Sequence, residues 1–210
     1  MLLAVAIAGL AGQSGLVASD YFPTVPGTKW TYSDTKEPGT TITKIAEQST
    51  NIGDANSPVI AVPVDTLKDG QNVETIYYTV QDSRVAIVMY KRPNDKAASP
   101  LKDSTTVIGT GPHGAWEDVQ NIAVAIDPEP LTIDGSSRSV PAQTVFGEKR
   151  DMLEVDLYAS VRDKNQYSVH QKCLYAKGVG LIEMDEKTRA SGKDFSRVLK
   201  LTSFVPGTPK

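Results

Sequence analysis

Between Met152 and Val161 the chain reads MLEVDLYASV, with an apolar residue at every second position. Leu153, Val155, Leu157, Ala159 and Val161 share one face of an extended chain, and Glu154, Asp156, Tyr158 and Ser160 share the other. An extended strand returns to the same side about every 2 residues, so this segment asks for one dry face and one wet face. As a helix, with about 3.6 residues per turn, it would scatter the same side chains around its axis.

Shorter runs of the same type occur along most of the chain, separated by turn signals. Lys29–Asp34 and Thr40–Gln48 flank Pro38-Gly39, and Pro58–Thr66 and Val73–Gln81 flank Lys68-Asp69-Gly70. Arg84–Tyr90 follows after only Asp82-Ser83, so these last three runs read as a meander. Pro63 has no N–H to donate and belongs on an edge or at a bulge. The polar, proline-containing stretch 91–106 reads as a long surface loop or a hinge between halves. Beyond it come Ala115–Val119, Ile122–Ile126, Leu131–Ile133 and Ser137–Val140, with Asp134-Gly135 as a turn. Tyr167–Ala176, Val179–Asp185 and Phe195–Phe204 follow, with 186–193 as a hairpin tip. Composition agrees: 21 Val, 12 Ile and 19 Thr against 13 Leu favour strand. The expected fold is mainly β, one strongly curved antiparallel sheet as a half-open barrel or a sandwich, with minor helix.

The opening MLLAVAIAGLA carries no charge and is shorter than the about 20 residues that span a bilayer. It suits the apolar core of an export signal, although no Lys or Arg follows Met1. The expected division is a signal peptide over 1–18, cleaved after Ala11 or Ala18, and one β-rich domain over 19–210. Cys173 is the single cysteine, so no internal disulfide can form and the core alone must hold the fold. Such a chain fits a bacterial periplasm or the extracellular space. With 22 basic against 25 acidic residues, it lacks the positive charge a nucleic-acid binder needs.

Catalytic candidates are few. Of the two histidines, His113 lies in a Gly-Pro-His-Gly turn, and His170 is three residues from Cys173. That odd spacing sends His170 and Cys173 to opposite faces, so the strand cannot make them a dyad. Glu154 and Asp156 share a face with Cβ atoms roughly 6–7 Å apart, a spacing that suits paired carboxylates in a hydrolase and equally the wet side of a strand. Asp127-Pro128-Glu129-Pro130 is a rigid acidic loop lacking the spaced ligands of a calcium loop. No nucleotide, nucleophile-elbow or zinc motif occurs, and neither cofactor nor metal is expected.

Three ordered segments resemble a group of bacterial exported β-rich proteins. Tyr21-Phe22-Pro23-Thr24-Val25-Pro26-Gly27-Thr28-Lys29-Trp30-Thr31-Tyr32 resembles their opening Tyr-x-Pro-Leu-x-x-Gly-x-x-Trp-x-Tyr. Val140-Pro141-Ala142-Gln143-Thr144-Val145 resembles Val-Pro-Ala-Gly-Thr-Phe, with Gln143 for glycine and Val145 for Phe. Tyr175-Ala176-Lys177-Gly178-Val179-Gly180-Leu181-Ile182 resembles Tyr-Ala-x-Gly-Val-Gly-Leu-Val. The resemblance brings no assigned catalysis; it implies a fold similar to lipoprotein-carrier half-barrels, which hold an acyl chain in an apolar concavity.

The expected function is therefore that of an exported cell-envelope binding module, non-catalytic, for an apolar or lipid-like ligand. A carboxylate hydrolase built on Glu154 and Asp156 is one alternative, and a structural or envelope-protein-binding domain is another. Trp30, Tyr32, Tyr78 and Trp116 are the aromatic candidates for contacting a ligand. No transmembrane span and no nucleic-acid partner are expected.

Overall fold

The computed structural model describes residues 16–110, 114–123, 128–161 and 167–208. His113, Asp127 and most of the proposed leader lie outside these residues, as does the cut after Ala11. The described residues are mostly strand, and apart from a single 3-10 turn at Ala18–Tyr21 the described elements are all strands. They are β1 (Lys29–Asp34), β2 (Thr41–Ala46), β3 (Thr50–Asn51), β4 (Ile60–Lys68), β5 (Gln71–Gln81), β6 (Arg84–Lys91) and β7 (Ser99–Gly109), followed by β8 (Ala115–Ala123), β9 (Pro128–Val145), β10 (Glu148–Val161), β11 (Tyr167–Ala176), β12 (Gly180–Ala190) and β13 (Lys193–Val205). Among the described residues no helix is long and apolar enough to cross a membrane.

All ladders are antiparallel and belong to one sheet of order β7-β6-β5-β4-β2-β1-β13-β12-β11-β10-β9-β8, with the short β3 beside β4. Each half runs as a meander, except that β2 pairs β4 past the short β3. Asp69-Gly70, Phe146-Gly147 and Ser191-Gly192 each turn the chain with positive φ at both residues, the geometry whose twist matches flanking strands. The halves meet where β1 pairs β13, from Lys29 opposite Val205 to Asp34 opposite Leu199.

The alternation in Met152–Val161 sets which side of β10 is dry: Leu153, Val155 and Leu157 are buried and Tyr158 is exposed. The inward face of β10 joins Trp30, Tyr32, Ile42, Val64, Tyr78, Cys173, Tyr175 and Leu199 in one cluster. These residues come from strands far apart in the sheet order, so the sheet must curve until its halves face each other. Register shifts in β1, β4, β5, β6, β10 and β11 mark bulges, which bend a strand and increase its twist. The half-open form, and not the two-sheet sandwich, is the one that forms.

The sheet's two ends are bridged by side chains in place of a ladder. Asp118 on β8 accepts from the Thr106 N–H at 2.6 Å and pairs with Arg84 at 3.3 Å. The Ser137 hydroxyl donates to the Gly109 carbonyl. Trp116 of β8 lies against Gly109 and Gly135, whose missing side chains make room for its ring.

Several sequence expectations need correction here. The stretch 91–106 is no long loop: β6 reaches Lys91, and β7 begins at Ser99. Its polar residues misled because an edge strand needs only one ladder and tolerates a charged face. Asp134-Gly135 is not a turn either; β9 runs straight through it, with Gly135 opposite Leu157 and Trp116. Glycine there serves close packing. Residues 186–190 continue β12, so the hairpin tip shrinks to Ser191-Gly192. Pro63 sits where β4 passes from β2, ending opposite Val64, to β3, starting opposite Ala61, so no ladder needs its missing N–H.

Candidate functional site

The curved sheet leaves a cavity of about 390 Å³ on its inner face. That volume falls in the range of small-molecule sites, about 300–1,000 Å³. β1, β2, β4, β5, β6, β7, β10, β11, β12 and β13 all contribute to its wall. Its apolar lining includes Phe22, Trp30, Tyr78, Leu157, Leu181 and Met184. A second depression of about 640 Å³ adjoins it and shares Val73, Glu74 and Ile87.

The wall is fixed by local sequence. Gly27, with φ of +83°, turns the chain into β1, where Trp30 and Tyr32 point inward two residues apart. Their polar atoms bind the opposite motif: the Trp30 indole N–H donates to the Val179 carbonyl, and the Tyr32 hydroxyl donates to Leu181 O at 3.0 Å. Gly180 has φ of +98°, and a Cβ there would lie 3.2 Å from the Trp30 indole nitrogen. The first and third resembling segments are thus one structural unit, the glycine letting the Trp30 ring approach the backbone. Phe22 extends the wall by packing on Tyr78, with ring centroids 4.7 Å apart.

Polar groups collect at one end of the strands. Asp34, at the end of β1, accepts from Arg197 Nε at 2.9 Å and from the Lys36 N–H at 2.9 Å. Lys68 pairs with Glu37, and Glu186 accepts from the Gln171 amide at 2.7 Å. Lys44 and Thr66 face each other across the β2–β4 ladder inside this charged rim. Burial lowers the Lys44 pKa, partly offset by the Glu74 carboxylate.

Trp30, Tyr32 and Tyr78 therefore line the cavity, whereas Trp116 stands at the seam between the sheet's ends. Glu154 and Asp156 are on the outer face of β10. Arg138 donates to Glu154 at 2.9 Å, Lys172 lies 3.9 Å from it, and His170 contacts Asp156 at 2.7 Å. Neither carboxylate lines the cavity. His170 and Cys173 do point to opposite faces: His170 is exposed, and the buried thiol lines the cavity. Burial pushes its pKa up to about 12, which keeps it a thiol and a poor nucleophile at neutral pH. Among the described residues no cluster of His, Cys, Asp or Glu could hold a metal ion.

Burial also raises the Tyr32, Tyr78 and Tyr175 hydroxyls above their usual 10.0. A phenol raised in the folded state keeps its stability contribution below the unfolded pKa and loses it as pH rises toward the folded one. The fold should therefore come apart cooperatively above about pH 10, with the buried tyrosines ionising only in that transition. Absorbance at 295 nm followed together with circular dichroism checks this; smooth ionisation of all 8 tyrosines with the fold intact would contradict it.

No family model matches the chain, and no curated protein matches it. Solved structures with a related outline include a provisionally named lipoprotein from Parabacteroides distasonis, at TM-score 0.42 and 9% identity. They also include a provisionally named exported protein with a YmcC-like fold from Bacteroides fragilis, at TM-score 0.40 and 9% identity. Each alignment covers 88% of this chain and 98% of the other.

Proposed function

We propose that the protein is an exported, non-catalytic binding module of the bacterial envelope, periplasmic or extracellular, which holds an apolar or lipid-like ligand inside its curved sheet. The observation that carries this reading is the cavity of about 390 Å³, walled by Phe22, Trp30, Tyr78, Leu157 and Leu181 and left unfilled by the protein's own side chains. A sheet that curves only to close its core would fill that space, because interiors pack to near-crystalline density. The uncharged opening segment supports export, and the outward Glu154 and Asp156, engaged by Arg138 and His170, favour binding over carboxylate hydrolysis.

The test is displacement of N-phenyl-1-naphthylamine, an apolar dye that brightens out of water. Wild-type protein should bind it with micromolar affinity and release it to long-chain lipids. Ile87→Trp, which adds bulk to a half-buried lining position, should weaken dye binding at least roughly tenfold while the fold persists. Dye binding that is absent in the wild type, or unchanged by the filled cavity, would overturn the reading. In the second case the dye sits on an outer apolar patch.

A further inference from the structure

The cavity contains a hydroxyl without a partner. Thr66 is 7% exposed, it lines the cavity, and its Oγ1 makes no hydrogen bond. Buried hydroxyls are nearly always satisfied, so an orphan facing a cavity marks a place for a ligand's polar atom. Across the β2–β4 ladder from Thr66 stands Lys44, on the same wall. Among the described residues no carboxylate forms an ion pair with the Lys44 ammonium.

The other charges on the wall are engaged. Arg197 is held by Asp34, and Lys68 by Glu37. Glu186 accepts from Gln171 and Thr188. Glu74 remains; it follows Thr66 in register on β5, at the lip shared with the adjoining depression. One cation and one unused hydroxyl thus stand side by side, with the apolar wall of Trp30, Tyr78 and Leu181 around them.

We infer that Lys44 and Thr66 form a head-group site within the cavity for the anionic end, carboxylate or phosphate monoester, of a single-chain amphiphile. This rests on the ligand-binding reading above and specifies the ligand's chemistry. An anionic oxygen accepts from the Lys44 ammonium and from the Thr66 hydroxyl, and the chain lies against the aromatic wall. An anion without a chain gains none of that apolar burial, and an uncharged chain leaves Lys44 unmatched.

Titration calorimetry with dodecanoate, dodecyl phosphate and dodecanol tests this. Wild type should bind the two anions roughly ten- to a hundredfold tighter than the alcohol, the span expected for hydrogen bonds to a charged group. The better of the two anions identifies the head group. Lys44→Met should erase that preference and keep alcohol binding, and its unliganded Tm should hold or rise because a half-buried charge without an ion-pair partner is gone. Thr66→Val should raise the unliganded Tm by about 2–4 °C and weaken anion binding several-fold, a split that a merely structural hydroxyl would not give. Glu74→Gln should tighten anion binding by removing a competing charge.

Equal affinity for acid and alcohol in wild type, or a preference that survives Lys44→Met, would overturn the head-group site and leave the cavity reading standing. A fall in Tm in Lys44→Met would show Lys44 to be a structural partner of Glu74 and would also overturn it. If none of the chains binds, the cavity reading itself fails.

Discussion

Replacing Arg197 with methionine should lower the unfolding free energy by about 3–5 kcal/mol, the cost of leaving a buried charge without its partner. The Asp34 side chain is only 2% exposed, and Arg197 approaches it with both Nε and a terminal nitrogen at 2.9 Å. Without the guanidinium, one backbone N–H, that of Lys36, is left to compensate the carboxylate. The loss is carried by the stranded anion, not by the net worth of the pair, and a second substitution separates the two. Arg197→Met combined with Asp34→Asn should recover most of the loss, because a neutral amide costs far less to bury. Urea unfolding of the four proteins of this cycle checks it, read as a shift in midpoint at constant slope. A single variant within about 1 kcal/mol of wild type, with no coupling in the cycle, would mean that water in the cavity already screens Asp34.

The seam should be nearly as sensitive. Trp116→Ala is expected to cost about 3 kcal/mol, at the low end for a tryptophan because the ring is only half-buried. The ring spans three strands: it is in register opposite Gly135 of β9 and stands over Gly109 of β7. A Cβ on Gly135 would lie 2.1 Å from the ring, and one on Gly109 would lie 2.6 Å from it. Gly135→Ala should therefore destabilise by about 1–3 kcal/mol through overpacking. The two substitutions act on one contact, so their costs should not add: in the Trp116→Ala background Gly135→Ala should be close to neutral. Thermal melts of the single and double variants measure this. Full additivity would show that the ring does not hold the seam.

The difference between these sites and the strands around them lies in how far each depends on distant residues. The strand Lys29–Asp34 has the boundaries its sequence suggests, and Tyr167–Ala176 likewise. Alternation is a property of about 5 consecutive residues and survives in any surroundings that have one dry side. The same parity contained an unused signal for the head-group site. Lys44 lies on the same side of its strand as Ile42 and Ala46, and Thr66 on the same side as Val62 and Val64, all of them buried core residues. A polar residue in phase with an inward face is conspicuous once that face is known to be inward. In Thr41–Ala46 it was not, because Ile45 occupies the other phase. Gly135 failed for a related reason: Asp-Gly is a turn signal locally, and only the ring of Trp116 explains a glycine within a continuous strand.

By itself the sequence determined an antiparallel, turn-rich β protein without an internal disulfide, with Trp30 and Tyr32 on one face of an early strand. Those properties follow from side-chain period, turn chemistry and the single cysteine, each read over a few neighbouring residues. Only the tertiary structure decided that β1 would pair with β13 and that the curved sheet would stay half-open and not form a sandwich. It alone placed Trp116 in a seam and left Lys44 and Thr66 beside a cavity. The contacts that make these choices join distant positions, such as Trp30 with Val179, 149 residues apart. Such pairings depend on the summed fit of whole strands and their bulges, and no local pattern encodes that sum.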